Sequence, residues 1–363
     1  MRALTRRSFI ATTALGTVAG AGLVRNARAD ATYKWRMATS WSGGPLMDIG
    51  AKAFAERLNL ISGGRFDIEV FPAGTLGNPL KISATVRDGV AELGHTWMGY
   101  DWGQDPTTVL FGGYAGSVDT LRTLHWLYEA GGIDMQKQFR QEKFGVMSLP
   151  LFARNAEVFL HSRKPVRTLS DLQGLKIRTA GVWLQIAKQL GAATVTMPGG
   201  DIYEALQRGV IDATEWGSPW ENISAGFYKV TKYVIMPGVH QPTAPFELVI
   251  NMDAWNKLSD TDKSLVEEAA RLVTFESWLR IGQEDEKAMQ FYRDHGNEII
   301  YLAPEVQYRG RELALKWAVS EAGKNEWFAK VYKDQRAFEK LWVHADTIRN
   351  VLVDPKDIDK YNI

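Results

Sequence analysis

One junction occurs twice in this chain. Val86-Arg87-Asp88-Gly89-Val90-Ala91-Glu92-Leu93 returns later as Leu206-Gln207-Arg208-Gly209-Val210-Ile211-Asp212-Ala213. In each copy a helical stretch runs into glycine, the residue that most readily takes the left-handed backbone that closes a helix, and an apolar strand segment follows. Pro72-Ala73-Gly74 precedes the first copy and Pro198-Gly199-Gly200 the second, where Asp201 and Glu204 have the spacing of a capping box. Helix–glycine–strand junctions are common, so one echo does not establish duplication. Two similar α/β lobes are the economical reading.

The flanking segments agree with an α/β class. Tyr33 to Ala38 alternates and is rich in aromatics, as a strand is, and it enters a Ser/Gly/Pro loop at Ser40 to Pro45. Ile49, Ala53, Ala55 and Leu58 then fall at helical spacing, and Ser62-Gly63-Gly64 ends the helix. Arg65 to Phe71 alternates again, which completes a strand–helix–strand unit with parallel pairing. Further on, Leu169 to Gly174 reads as a turn, Leu175 to Thr179 as a strand, and Val182 to Leu190 as a helix ended by Gly191. From Ser259, capped through Asp262, the apolar stripe of Leu265, Val266, Ala269, Leu272, Val273 and Leu279 predicts helix almost to Gly296, long enough to cross both lobes as a spine. The tail carries Trp317, Trp327, Phe328, Phe338 and Trp342 on further helix, an aromatic load that either docks or dimerises.

The first 29 residues stand apart. Thr5-Arg6-Arg7-Ser8-Phe9-Ile10 is a twin-arginine pattern, Ala11 to Val24 is weakly apolar and too short for a convincing membrane span, and Ala27-Arg28-Ala29 supplies a small-x-small cleavage site. Its removal takes away Arg2, Arg6, Arg7, Arg25 and Arg28 and no acid, so the near-neutral balance of 43 basic to 42 acidic residues becomes mildly acidic. The expected product is soluble and periplasmic, with no basic surplus for nucleic acid. Its expected organisation is residues 1–29 as signal, 30–153 with about 246–300 as the first lobe, 154–245 as the second, and 301–363 as C-terminal helices.

The absence of cysteine excludes disulfides, thiolate metal sites and cysteine nucleophiles. There is no phosphate-binding Walker loop, nucleophile elbow or His-Glu-x-x-His pair, and the six histidines, His95, His125, His161, His240, His295 and His344, form no local cluster in sequence.

What remains is a set of central motifs: Gly174-Leu175-Lys176-Ile177-Arg178, Gly199 to Leu206, and Gly209 to Ala213 leading into Thr214-Glu215-Trp216. With Gly99-Tyr100-Asp101-Trp102-Gly103, Asp105-Pro106 and Gly131-Gly132-Ile133-Asp134, they resemble the DctP-type extracytoplasmic solute receptors of TRAP transporters, and among these the receptors for 2-oxo acids and related monocarboxylates. The resemblance spans essentially the whole chain after residue 29. It implies a two-lobed periplasmic binding protein fold with a central cleft, no enzymatic activity, a small carboxylate ligand, a membrane permease as partner, and a homodimer in some members.

The resemblance also implies site residues. Arg178, on the strand after the Leu172-Gln173-Gly174-Leu175 turn, would grip the ligand carboxylate, and a guanidinium fork suits that task as lysine cannot. A co-bound sodium or calcium ion would be held by Glu157, Glu215, the Trp216 carbonyl and Gln241. Here the family's usual order, glutamine first and glutamate last, is exchanged, which oxygen-only ligation tolerates. Tyr100 and Trp216 would contact the ligand, with Glu157 beside it. Arg154, near Glu157 in sequence, leaves room for a second carboxylate. Trp183, Trp220 and Trp102 are further candidates for the cleft wall. Two other readings stay open on the residues alone: an exported hydrolase using Glu157 and Glu215 as an acid/base pair, and a sugar or polyol receptor on the same fold.

Overall fold

The computed structural model describes residues 31–349. The twin-arginine segment, its cleavage site and the last fourteen or so residues lie outside the described residues. The chain first lays down β1 (Tyr33–Thr39), β2 (Phe66–Phe71), β3 (Leu93–Thr96) and β4 (Val146–Arg154). It continues through β5 (Leu160–Ser162), β6 (Lys176–Arg178), β7 (Ala193–Val195), β8 (Ala213–Thr214) and β9 (Tyr233–Met236). It closes with β10 (Ala244–Asn251) and β11 (Glu298–Tyr301). These strands form two sheets, one in the order β2-β1-β3-β10-β4 and the other in the order β11-β9-β5-β8-β6-β7.

The expected strand–helix–strand unit is present: β1 pairs parallel with β2, Trp35 opposite Ile68 and Met37 opposite Val70. Trp35 and Met37 face the core while Lys34 and Arg36 are exposed, the alternation of a strand with one buried face. The two copies of the repeated junction fall at equivalent places. After the helix Ile82–Arg87, Gly89 (φ 75°) leads to β3, and after the helix Gly199–Gln207, Gly209 (φ 72°) leads to β8. Each of these strands lies inside its own sheet.

The second junction lacks the capping box that Asp201 and Glu204 suggested. Its helix starts earlier, at Gly199, from an extended Pro198, so Asp201 already sits within the first turn; Glu204 instead pairs with Arg208 at 3.1 Å. The cap at Ser259 does form, with Ser259 Oγ accepting from Asp262 N–H at 3.1 Å.

The helix it opens, Asp260–Asp294, is 35 residues long, about 50 Å at 1.5 Å per residue. Its first half runs along β4, where Thr274 Oγ1 accepts from Phe152 N–H at 3.3 Å and Ser277 Oγ from Ala153 N–H at 3.2 Å. These bonds occupy backbone groups that the bulged end of β4 leaves free: the β4–β10 register shifts at Pro245/Glu247, and Phe152 takes φ 82°. The far half reaches the second lobe, where Asp285 accepts from Ser218 Oγ and Trp220 N–H, each at 2.8 Å, and Tyr292 Oη donates to Pro219 O at 2.6 Å. The spine expected from the sequence thus joins both lobes. One segment falls elsewhere than expected: β11, read with the first lobe, is the edge strand of the second sheet, parallel to β9.

The aromatic tail docks on its own chain in part. Phe328 and Trp327 are buried in the main core, the latter edge-on to Phe139 at 5.5 Å, and Trp126 Nε1 donates to Asp334 at 2.7 Å. Leu341, Val343 and Ile348 of the same helix, Glu326–Arg349, are 73%, 67% and 83% exposed.

Candidate ligand and cation site

Segments distant in sequence converge where the two sheets meet. Tyr100 comes from the single turn after β3, Arg154 from the end of β4, Glu157 from the link to β5, Arg178 from the end of β6, Glu215 and Trp216 from the exit of β8, and His240 and Gln241 from the loop before β10. Strand ends at the junction of α/β units are where ligand crevices form. With Trp41, Trp97, Trp183 and Phe246 these residues line one cavity, apolar rings around a few convergent polar groups, as small-molecule sites are built. Of the other candidates for the wall, Trp183 is in place. Trp102 and Trp220 are outside it: Trp102 packs against the main core, and Trp220 lies under Arg280, whose guanidinium carbon is 5.9 Å from its ring.

Arg178 is almost sealed, its side chain 1% exposed. Its Nε and Nη2 donate to Met197 O at 3.2 and 3.0 Å, and Nη1 reaches Glu215 O and Oε1 at 3.3 Å each. Its guanidinium carbon sits 5.2 Å from the Trp216 ring centroid. Glu215 Oε1 also accepts from Ala180 N–H at 2.9 Å. Glu157 gives Oε1 to Arg154 and accepts at Oε2 from His240 Nε2 at 2.9 Å. The same Nε2 lies 3.9 Å from Glu215 Oε2.

Burial and charge push the two carboxylates apart. Burial raises the pKa of Glu215, the neighbouring Glu157 raises it further, and Arg178 does not offset them, so Glu215 sits above the ordinary carboxylate value. Burial acts on Glu157 too, but the charge of Arg154 and the bond from His240 outweigh it and hold Glu157 below that value. Arg154 is desolvated, yet the charges of Glu157 and Glu221 raise its pKa and keep it a cation. Desolvation raises the phenol of Tyr100, which stays a neutral donor.

Every residue nominated from the sequence as a ligand or cation contact lies on this cavity, but two are occupied differently from expectation. Arg154, left open for a second ligand carboxylate, is already committed: Nη1 donates to Glu221 Oε2 at 2.6 Å, Nη2 to Glu157 and to Trp216 O at 3.3 Å, and the guanidinium lies over Phe246. It neutralises protein carboxylates rather than waiting for a foreign one. Gln241 Nε2 donates to Gly112 O at 2.8 Å and Thr243 O at 2.7 Å, which fixes which end of the amide is oxygen.

His240 was missed. It sits one position before Gln241, between Gly238 and Pro242, and a search for histidines close together in sequence could not find it because its companions, Glu157 and Glu215, come from other strands. Two other histidines are packing residues: His95 Nδ1 accepts from Trp41 Nε1 and its Nε2 donates to Leu151 O, both at 3.0 Å, while burial lowers its pKa to about 4; His161 is fully buried among aromatic rings. Among the described residues, Glu157, Glu215 and His240 each present one donor atom, all within 4.8 Å of one another, a donor set that fits a cation.

Two α/β lobes joined by a spine helix around a buried, charged cavity define a solute-binding protein. Among solved structures, a TRAP transporter solute-binding protein from Bordetella bronchiseptica, recorded with copurified calcium and picolinate in one site of a dimer, superposes with a TM-score of 0.84 at 23% identity, covering 92% of this chain and 97% of that one. A periplasmic receptor from Pseudoalteromonas atlantica with bound sodium and pyruvate gives 0.81 at 24% identity, covering 87% and 97%. The fold is therefore that of TRAP solute-binding proteins. The monocarboxylate 2-oxoacid-binding periplasmic protein of Nostoc sp. is 30% identical over 311 residues, 85% of this chain and 84% of that protein. Residues 37–318 match the DctP family, the bacterial extracellular solute-binding proteins of family 7, and the chain belongs to that family. It is a binding protein and not an enzyme, so the acid/base reading of Glu157 and Glu215 is set aside.

Proposed function

We propose that this chain is the receptor of a TRAP transporter for a short 2-oxo or 2-hydroxy monocarboxylate, captured with a sodium or calcium ion and handed to membrane permease subunits. Arg178 takes the ligand carboxylate, helped by the Tyr100 hydroxyl and closed over by Trp216, with Glu157 alongside. The cation lies against Glu215, the Trp216 carbonyl, Gln241 and Glu157. The observation that carries this reading is the buried pairing of Arg178 with Glu215 on one cavity wall, a cation and an anion offered side by side to a ligand that brings a carboxylate and a metal ion. Three likenesses support it: the Nostoc relative named for 2-oxo monocarboxylates, and the two fold neighbours with pyruvate or picolinate beside sodium or calcium. Mass spectrometry of ligand released by denaturing the purified protein tests it. A 2-oxo or 2-hydroxy acid is expected; a neutral sugar or polyol overturns it.

The same reading includes twin-arginine export of residues 1–29, lobes divided near residues 154 and 245, and a homodimer through the C-terminal helices. The exposed Leu341, Val343 and Ile348 support the last of these.

A further inference from the structure

Outside the cavity, the first lobe seals a second charged cluster. Arg140, on the helix Gly132–Phe144, is 0% exposed, and the side chains of Asp101 and Glu247 are 4% and 1% exposed. Arg140 Nη2 meets Asp101 Oδ2 at 2.9 Å and donates to Glu247 Oε1 at 2.8 Å and to Ser83 Oγ. Ser83 Oγ donates in turn to Asp101 Oδ2 at 2.6 Å, and Ser148 Oγ to Glu247 Oε2 at 2.7 Å. Arg140 Nε and Nη1 are buried without a hydrogen-bond partner among the described residues. A sealed guanidinium with donors left over costs stability that an apolar core would not. What the cluster holds is the cavity wall. Asp101 follows Tyr100 in the chain and Glu247 follows Phe246, and both Tyr100 and Phe246 line the ligand cavity. Neither of those two is placed by a regular ladder. Tyr100 sits in the single turn Met98–Asp101, past the end of β3, and Phe246 sits in the bulge of β10, where the pairing with β4 shifts between Pro245 and Glu247.

We infer that Arg140 is a positioning residue for the ligand site: acting through Asp101, it holds the Tyr100 hydroxyl at Arg178. Tyr100 and Arg178 meet in the cavity, where the guanidinium acts on the phenol by its charge and by a hydrogen bond. On the cavity side the turn is braced by Trp97, whose ring lies edge-on to Tyr100 at 5.3 Å and whose Nε1 donates to Gly112 O at 2.7 Å. On the other side the brace is Arg140. A shift of the turn by a fraction of a bond length moves the hydroxyl relative to the fork it shares with a ligand, and charge-assisted bonds depend steeply on that geometry. Such a role accounts for a buried charge that stability alone does not favour. This inference rests on the proposed reading of Tyr100 and Arg178 as ligand contacts and adds a residue that acts on them without touching the ligand.

The test is a double-mutant cycle by calorimetry, with pyruvate and Ca²⁺ as the probe. Asp101→Asn keeps the shape of the side chain and removes its charge, and it is expected to weaken pyruvate binding at least roughly threefold. In a protein that already carries Tyr100→Phe, the same substitution is expected to cost nothing further, because the hydroxyl it displaces is gone. A cluster that serves folding alone would leave affinity unchanged or lower it equally in both backgrounds, and either result overturns the inference. Fluorine NMR of the ligand-free protein labelled with 3-fluorotyrosine reads the same step without a ligand: the Tyr100 signal, assigned by its loss in Tyr100→Phe, should move in Asp101→Asn. Should Asp101→Asn fail to fold, Arg140→Lys, which keeps a cation and loses the planar fork, takes its place in both experiments. No pyruvate binding by the wild-type protein overturns the proposed ligand, and the fluorine spectrum then decides this inference: an unmoved Tyr100 signal overturns it.

Discussion

Arg178 and Glu215 face each other at 3.3 Å from the ends of two neighbouring parallel strands, with Arg178 registered against Thr214 one residue before Glu215. The register of β6 on β8 therefore sets the spacing between the ligand's anchor and the carboxylate assigned to the cation. Displacing either strand by one residue would turn one of the two side chains to the opposite face of the sheet.

Arg178→Ala should lower ligand affinity at least about tenfold, because a charged hydrogen bond in a closed cavity contributes ~1.5–3 kcal/mol and a tenfold change is ~1.4 kcal/mol. Arg178→Lys should recover only part of this, since a lysine cannot reach Met197 O and a ligand carboxylate as a planar fork does. Calorimetry on the three proteins checks it; equal affinities would remove Arg178 from the site.

Cation removal should weaken ligand binding. A ligand carboxylate entering beside Glu157 and Glu215 meets two like charges, and a bound ion relieves the repulsion. Because Glu215 is raised above the ordinary carboxylate value while Glu157 is lowered, the proton competes with the ion first at Glu215. Cation affinity should therefore fall as pH drops toward the Glu215 value and level off well above it, and Glu215→Gln should flatten that dependence. Titrations across pH in chelated, sodium-free buffer measure both effects. Undiminished ligand affinity in that buffer would refute the cation's role.

Asp285 links the spine helix to the second lobe and carries a stability prediction of its own. Burial pushes its carboxyl up to about 7, against the bonds from Trp220 N–H and Ser218. The folded state therefore keeps a proton that the unfolded chain releases near pH 4, so the stabilisation is complete below about pH 4 and is lost as pH rises toward about 7. Asp285→Asn keeps an oxygen acceptor for Ser218 and Trp220 and removes the titration. Urea unfolding should show wild type losing roughly 1–2 kcal/mol more than the variant across that window, a discounted part of ~1.4 kcal/mol per unit. Parallel profiles for the two proteins would count against it.

Much of this was legible in the sequence because the relevant information is local. The alternation of Trp35 and Met37 against Lys34 and Arg36 marks one buried face, the glycines at 89 and 209 mark helix ends, and Ser259 with Asp262 marks the start of the spine. Sheet membership is another matter. The stretch to about residue 300 reads with the first lobe, but Glu298–Tyr301 lies beside Tyr233–Met236, because its sheet depends on where a 35-residue helix delivers it. Asp201 and Glu204 have capping-box spacing, yet Pro198 starts the helix three residues sooner than that box requires. The site divides in the same way. Arg178, Glu215 and Trp216 follow motifs that lie close together in sequence, whereas the place of His240 comes from a loop that only the folded chain brings to Glu157, and the commitment of Arg154 depends on Glu221, a residue no spacing rule connects to it.

Dimerisation should involve the exposed end of the last helix. Leu341, Val343 and Ile348 leave apolar surface uncovered while Phe328 and Trp327 nearer its start are buried. Light scattering at high micromolar concentration should give a dimer mass, and Leu341→Glu with Val343→Glu should give a monomer that still binds ligand. A monomer mass for wild type would end this idea.

The ligand itself should be a short 2-oxo or 2-hydroxy monocarboxylate such as pyruvate, 2-oxobutyrate or lactate. Arg178 can hold one carboxylate, and a cation beside Glu215 can take one carboxylate oxygen together with the adjacent oxo or hydroxyl oxygen, the chelate that a 2-substituted acid offers. A second carboxylate would need a second cationic partner, and Arg154 is already held by Glu157 and Glu221. The rings of Trp41, Trp97, Trp183 and Phe246 leave an apolar wall for an aliphatic tail, so affinity should rise by roughly 0.8 kcal/mol per added methylene until the cavity is full. A thermal-shift panel of pyruvate, 2-oxobutyrate, lactate, propionate, succinate and mannitol, run with the cation present, tests each step. Propionate keeps the carboxylate and lacks the second chelating oxygen, so it should stabilise the protein less than pyruvate does. Equal shifts for those two would remove the chelate from the argument, and a shift with succinate or mannitol alone would replace the ligand class.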